Sequence, residues 1–477
     1  MTVKTIFFDM GGTIDTYWHS PEMRIAATAS LQTILASHGI QLHLSDAQLY
    51  EKIINGLARY HQWRLNSLNE LASSQVWRDY IFGDSTQDLS QLENVADDLM
   101  AWIETHYYAR KMRPEIPAVL EAVRTMGYKI GLISNVNSRG QVPYSLREYG
   151  ISDYFDPIVL SSVYGRRKPD PSIFHYAARL ACTPTSECIY IGDRIARDIL
   201  GAKRAGYKFA IQIQHDFHHG ESDEGAVPDL VIHDMNELLD FLHADFQLQL
   251  DTPMAESAMG TQIRAILFDA DGVLYYRKDK NHELTSFLVT MGVKVDQVPL
   301  TQLQHFRSQA ATGKMPFDEY KKAVLKLYGI TDPHLVAQAI KISKDGSHDI
   351  DHFDGVRETL EELKKRHFYL GIVTDTAQPL YVKLNKLERG GFGHVWDTII
   401  SSQEVGVQKP DPRIYEYALK QLDLKPGQAI FVGHKSAELA GARKVGMNTV
   451  AFNYDPDAIA DYYLDHFSQL AKLPIIN

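Results

Sequence analysis

Four short blocks hold the residues able to do chemistry. Asp9 lies in Thr5-Ile-Phe-Phe-Asp-Met-Gly-Gly-Thr-Ile14, Ser134 in Ile130-Gly-Leu-Ile-Ser-Asn135, Lys168 opens Lys168-Pro-Asp-Pro171, and Asp193 closes Ile189-Tyr-Ile-Gly-Asp193. A carboxylate at the end of a strand can attack phosphorus and form an aspartyl-phosphate, which splits one hard displacement into two. The negative oxygens in flight then need fixed donors and cations, here the Ser134 hydroxyl and the Lys168 ammonium. Carboxylates such as Asp193 and Asp198 would share a hard, oxygen-liganded Mg²⁺ with the nucleophile. Taken singly, each residue has a plainer reading: Ser134 a strand-end residue, Lys168 a surface lysine before a turn, Asp193 a helix N-cap. Their joint order outweighs those readings.

The order is also repeated, which makes an internal duplication the first inference about the elements. Ala265-Ile-Leu-Phe-Asp-Ala-Asp-Gly-Val-Leu274 carries Asp269, Leu370-Gly-Ile-Val-Thr-Asp375 carries Thr374, and Lys409-Pro-Asp-Pro412 carries Lys409. Ile430-Phe-Val-Gly-His434 with Gly441-Ala-Arg-Lys-Val-Gly446 echoes the fourth block and its Gly201-Ala-Lys-Arg-Ala-Gly206. Asp9 to Ser134 is 125 positions and Asp269 to Thr374 is 105, whereas the lysine follows at 34 and 35. The variable piece, 16–111 and 276–350, is rich in helix-period apolar residues such as Leu49, Ile53, Leu57 and Tyr60, and predicts a helical cap inserted in each core. Amphipathic helices, Ile116 to Met126 and Val356 to Leu363, precede the second block of each half. Short apolar strands alternating with such helices predict a parallel, doubly wound sheet in each half. In such sheets ligands bind beyond the carboxyl ends of the strands, so Asp9, Ser134 and Asp193 should converge. The stretch 247–262 lacks clear periodicity and reads as a linker between domains 1–246 and 263–477. Their cores would be 1–15 with 112–246, and 263–275 with 351–477.

The ordered set of strand-borne Asp, Ser/Thr strand end, Lys-Pro and Gly-Asp strand end resembles the haloacid-dehalogenase superfamily of hydrolases, twice over and across nearly the whole chain. The resemblance implies tandem Rossmann-like cores with C1-type helical caps, and catalytic roles for Asp9, Ser134, Lys168, Asp269, Asp271, Thr374 and Lys409. The metal positions it implies are Asp9, Gly11, Asp193, Asp198, Asp269 and Glu438, with Mg²⁺ as cofactor. Each half would own a pocket, lined by Asp9, Ser134, Lys168 and Asp193, and by Asp269, Thr374, Lys409 and Glu438.

Both halves depart from the family's phosphatase pattern. A second Asp normally follows two residues after the nucleophile as general acid/base. Asp271 fills that place in the second half, but Gly11 stands there in the first, a loss worth typically ~10²–10⁴ in rate. In the second half His434 replaces the metal-binding Asp, and imidazole is a poor Mg²⁺ ligand. At least one half is therefore expected to be impaired. The leading expectation is a phosphatase acting on a small phosphorylated metabolite. Its alternatives are phosphotransferase or dehalogenase-like chemistry at the Gly11 site, and a degenerate protein that binds a ligand or partner.

Composition narrows the partners. The chain has 477 residues, 44% hydrophobic and 23% charged, a globular composition long enough for about two to four domains. The net charge of −11 is spread without blocks, which argues against nucleic acid or an anionic membrane surface. Cys182 and Cys188 are the only cysteines, too few for a disulfide framework or thiolate zinc cluster. With no signal-like start and no run of about 18 apolar residues, a cytoplasmic protein is expected. Weaker candidates are a His215, His218, His219 metal cluster, better read as a loop, and His19 as a replacement acid in the first half. Trp63, Trp77, Tyr80 and Trp102 read as helix-packing residues of the cap.

Overall fold

The computed structural model describes residues 2–83, 89, 91–214, 225–251, 262–277, 283–294, 297–345 and 350–476. It divides into two compact units: Met1–Ala181 with Ser186–Met254, and Ala255–Asn477 with Cys182–Thr185.

The first unit contains β1 (Thr5–Phe8), β2 (Asp15–Trp18), β3 (Ala109–Met112), β4 (Lys129–Ser134), β5 (Ile158–Leu160), β6 (Cys188–Gly192), β7 (Phe209–Ile213) and β8 (Leu230–Ile232). The second contains β9 (Ala265–Phe268), β10 (Tyr275–Arg277), β11 (Ile350–His352), β12 (Tyr369–Thr374), β13 (Thr398–Ser401), β14 (Ala429–Gly433), β15 (Asn448–Phe452) and β16 (Tyr462–Leu464). Each core is a six-stranded sheet, in the order β5-β4-β1-β6-β7-β8 and β13-β12-β9-β14-β15-β16. All these pairings are parallel, so this is the doubly wound α/β architecture that the alternation of strands and helices predicts.

The strands are continuously apolar because both faces are covered. On β1, Ile6 and Phe8 pack with Ile116, Val119, Leu120 and Val123 of helix Ile116–Thr125. Phe7, pointing the other way, packs with Ile173, Phe174 and Ala177 of helix Pro171–Leu180. Burial of one such aromatic or aliphatic side chain is worth about 1.5–3 kcal/mol, and the two faces together fix which strand lies at the centre. The Lys-Pro-Asp-Pro blocks start helices: Asp170 accepts the Ser172 N–H at 2.9 Å, Asp411 accepts that of Arg413 at 3.0 Å, and Pro occupies the first turn.

The caps are helical but not purely so. In the first, helices Pro21–Ser37, Asp46–Leu65 and Leu92–His106 share a core of Leu31, Leu49, Ile53, Tyr60, Trp77 and Leu99, separate from the sheet's cores. Trp77 is fully buried, Tyr60 stacks on Trp63 at 5.7 Å, and Trp102 stacks on His106 at 3.4 Å, which is the packing role expected of them. The chain enters and leaves each cap through an antiparallel ribbon, β2–β3 and β10–β11. The sequence reading missed these ribbons because three or four residues of alternation are too few to register. The linker begins later than expected, since helix Asn236–Asp251 runs into 247–251, and 252–261 lie outside the described residues. So does the His215, His218, His219 stretch.

Candidate active site

The sheet order puts the chemistry in place. β1 is central, with β4 on one side and β6 on the other, so Asp9, Ser134 and Asp193 leave the carboxyl ends of three adjacent strands. β9, β12 and β14 do the same for Asp269, Thr374 and His434.

In the first half a buried lysine organises the cluster. Lys168 Nζ lies 2.8 Å from Asp9 Oδ1 and 2.6 Å from Asp198 Oδ1, and donates to the Ile133 carbonyl at 3.0 Å and the Tyr190 hydroxyl at 2.6 Å. Its backbone is held by Asn135, which accepts the Lys168 N–H at 2.9 Å and donates to its carbonyl at 3.1 Å. Asp9 Oδ1 also accepts the Met10 N–H at 2.8 Å, which leaves Oδ2 as the oxygen turned to other partners. Burial pushes the Asp9 carboxyl up to about 7, with Lys168 opposing and Asp198 and Asp193 reinforcing. Gly12, at φ +84°, lets Asp193 close in: a Cβ there would stand 2.4 Å from Asp193 Oδ2.

The second half keeps the frame and changes one wall. Lys409 Nζ lies 2.7 Å from Asp269 Oδ1 and 3.0 Å from Glu438 Oε2. Asp269 Oδ1 again accepts the next backbone N–H, that of Ala270, at 2.8 Å. Asp269 Oδ2, however, faces His434 Nδ1 at 3.4 Å, within ion-pairing range but beyond a well-formed hydrogen bond. Burial pushes the Asp269 carboxyl up, but Lys409 and His434 outweigh it and hold it well below the usual carboxylate range. The Thr374 hydroxyl is buried and has no hydrogen-bond partner among the described residues, as a donor kept for a ligand oxygen would be.

Asp9, Asp193 and Asp198 each bring a carboxylate oxygen within 4.8 Å of the others, and Asp269, His434 and Glu438 form a corresponding group. The first is an all-oxygen set that fits a hard divalent cation, whereas the second contributes an imidazole. Asp198 and Glu438 carry a further load. Asp198 Oδ1 takes Lys168 and its Oδ2 takes the Arg194 N–H at 3.0 Å, while Glu438 divides its oxygens between Lys409 and Lys435, the latter at 3.1 Å. Both therefore anchor the lysine as well as belonging to the group that could hold a cation.

The pockets differ more than the sequence suggested. In the second half a cavity of about 410 Å³ is lined by Asp269, Asp271, Thr374, Lys409, His434 and Glu438, with Arg307 and Ser308 of the cap helix Leu300–Ala311. In the first half a cavity of about 800 Å³ includes Lys168 in its lining but not Asp9, Ser134 or Asp193. Lys168 is the residue this cavity shares with the carboxylate cluster, because its stem reaches from the cavity to Asp9. The Tyr17 ring stands beside Gly11, 3.2 Å from where a Cβ would be, in the space the missing Asp side chain would enter. His19, the expected substitute acid, is exposed and packs edge-on against Tyr108 outside the cavity lining.

Sequence reasoning also missed Tyr190, which lies inside the fourth block, and Lys383, which lies outside all of the blocks: Lys383 donates to the Tyr275 hydroxyl at 3.0 Å, and its ammonium is held up by Tyr275 and Asp271 against the downward pull of burial. The offset of Tyr190 from Asp193 carried a signal, since the second half has Phe431 there and Lys409 lies over its ring at 5.7 Å.

Residues 3–206 and 266–452 both match haloacid dehalogenase-like hydrolase families. With strand order and motif positions repeated in both halves, the chain belongs to the haloacid dehalogenase-like hydrolases, as two domains in tandem. A glyceraldehyde 3-phosphate phosphatase of Methanopyrus kandleri is 28% identical over 242 residues, which cover 50% of this chain and 96% of the relative. The pyrophosphatase PpaX of Bacillus mycoides is 27% identical over 231 residues, 45% of this chain and 98% of its own. A phosphoglycolate phosphatase of Vibrio parahaemolyticus is 27% identical over 240 residues, 50% of this chain and 95% of its own. Each of these is matched almost end to end by about half of the chain.

Proposed function

We propose that the protein is a Mg²⁺-dependent phosphatase of a small phosphorylated metabolite, that it works through an aspartyl-phosphate, and that the first half carries most of the turnover. The observation that carries this reading is the state of the two nucleophiles. Lys168 and the Met10 N–H fix Asp9 Oδ1 and leave Oδ2 to attack, whereas the corresponding oxygen of Asp269 faces His434. Phosphatases among the relatives support the reaction class.

In this reading Asp9 Oδ2 forms a bond to phosphorus as the ester P–O bond breaks and the departing oxygen takes a proton from water. A second water then cleaves the Asp9–phosphorus bond, releasing phosphate and restoring the carboxylate. Lys168 and the Ser134 hydroxyl stabilise the negative oxygens. Asp9, Asp193 and Asp198, with Gly11 at the adjoining position, would hold the Mg²⁺. When bound it neutralises charge on the phosphoryl group. Gly11 offers no proton to the leaving group, so esters with good leaving groups should react best. The domain boundaries expected above, with the first domain carried on to Asp251, a cytoplasmic setting and a substrate that is neither nucleic acid nor membrane belong to the same proposal. The test is phosphate release from p-nitrophenyl phosphate with Mg²⁺ and with EDTA. At least a hundredfold loss in EDTA is expected, and equal rates would refute the metal-dependent reading.

A second reading applies to the other half alone. His434 against the nucleophile, beside the unpartnered Thr374 hydroxyl, favours a site that binds a phosphorylated ligand with little turnover.

A further inference from the structure

The larger cavity of the first half has an unusual wall. Its lining includes Arg64, Arg167, Lys168, Arg194, Arg197 and His61, and among the described residues no carboxylate, in a chain whose net charge is −11. The second half's cavity instead mixes Asp269, Asp271, Asp375 and Glu438 with Arg307, Lys409 and Lys435.

The acids that balance the first wall are not on it. Arg167 is held by buried Glu70 at 2.8 Å, and Arg194 by Asp193 at 3.2 Å. Arg64 is held differently: its guanidinium donates to Asn137 Oδ1 at 2.8 Å and His61 Nδ1 at 3.1 Å and lies 5.0 Å over the Tyr60 ring, and none of these partners is a carboxylate. Because a guanidinium can only donate, His61 Nδ1 accepts, which puts that ring's proton on Nε2. Among the described residues no carboxylate lies within ion-pairing distance of Arg64. Like charges gathered in a partly enclosed space repel, and an anion placed among them is favoured well beyond its affinity in open water. One phosphoryl group at Asp9 and Lys168 would engage only the end of the wall that Lys168 forms. Leu65, Leu68 and Pro169 offer apolar surface along the cavity, whose 800 Å³ suits a molecule of sugar-phosphate size.

We infer that the first half selects a phosphate monoester carrying a second anionic group several bonds away, a carboxylate or another phosphate, seated against Arg64, Arg167 and Arg197. This rests on the proposed function for where the first phosphoryl group lies. It adds the class of substrate.

Affinity can be measured apart from turnover in the full chain with Asp9→Asn, by calorimetric titration with Mg²⁺ present. Two matched pairs serve as probes: 6-phosphogluconate against glucose 6-phosphate, and fructose 1,6-bisphosphate against fructose 6-phosphate. The first pair tests a carboxylate and the second a phosphate as the distal group. At least one doubly anionic compound should bind tenfold or more tightly than its partner. Arg197→Gln and, separately, Arg64→Gln should reduce that ratio to below about threefold while the singly anionic compound keeps its affinity within threefold. Arg64 also braces Asn137, so Arg197→Gln decides if Arg64→Gln does not fold. Equal binding within both pairs, or a ratio that survives Arg197→Gln, would overturn the inference. If the preference holds but the native chain releases no phosphate from any of the four, the phosphatase reading fails and the binding inference stands.

Discussion

Lys168 and Lys409 do the same work with different company. Lys168 bridges Asp9 and Asp198, and Lys409 bridges Asp269 and Glu438, but among the described residues only Lys168 also has a hydroxyl, that of Tyr190, which in turn lies 3.1 Å from the Ile133 carbonyl and 3.3 Å from Asp198 Oδ1. Burial and the Asp198 and Asp9 charges push the Tyr190 phenol well up, so it stays a donor. Tyr190→Phe copies the second half, where Phe431 stands. It should cost about 1–2 kcal/mol in urea unfolding, a buried hydrogen bond with its acceptors left behind. Unchanged stability would show that Tyr190 is only packing. At this scale the pairing of Asp9 with Lys168 and of Asp269 with Lys409 was legible from residue type and spacing, because strand-end position follows from a short apolar run. Tyr17 and Arg64 were not, since nothing in the local sequence says that a cap ribbon and a cap helix face one cavity.

The elements hold the site through one dry polar latch and two apolar faces. Glu70, on the cap segment after helix Asp46–Leu65, accepts from the Tyr60 hydroxyl at 2.5 Å, the Ser161 hydroxyl at 2.7 Å and Arg167 at 2.8 Å, and so ties the cap to the loop that carries Lys168. On the far side of the sheet, helix Pro171–Leu180 buries His175 with neither ring nitrogen hydrogen-bonded among the described residues, and burial lowers its pKa to about 3. Because the folded value lies below the ordinary 6.5, the unfolded chain binds the extra proton. The titration of His175 therefore costs no stability above pH 6.5, and stability falls as pH drops from 6.5 toward 3, by up to about 1.4 kcal/mol per unit. Urea unfolding at pH 7 and pH 5 should show His175→Leu losing less stability than the native chain, and parallel losses would contradict this. The helices and central strands were legible because their periodicity runs over ten residues or is wholly apolar. The ribbons at the cap entrances and the latch were not: both are made by segments far apart in the chain, and no local pattern encodes their pairing.

For the whole molecule, duplication was the most legible feature, since four blocks in fixed order with near-equal spacing after the second leave little freedom. The halves have since diverged at complementary points. The first retains three clustered carboxylates, loses the acid at Gly11 and opens a cationic cavity, while the second retains Asp271 but sets His434 against its nucleophile. Losing charge neutralisation obstructs the first step of attack, whereas losing the acid/base leaves that step open to good leaving groups and slows the departure of poor ones and the attack of water on the aspartyl-phosphate. The central claim is thus that turnover belongs to the first half. It is tested most directly by phosphate release from p-nitrophenyl phosphate with Mg²⁺ in the full chain, comparing Asp9→Asn with Asp269→Asn. The account predicts that Asp9→Asn removes at least nine-tenths of the activity and that Asp269→Asn leaves it within about twofold. Silence on Asp269→Asn with native rates on Asp9→Asn would contradict it and place the enzyme in the second half.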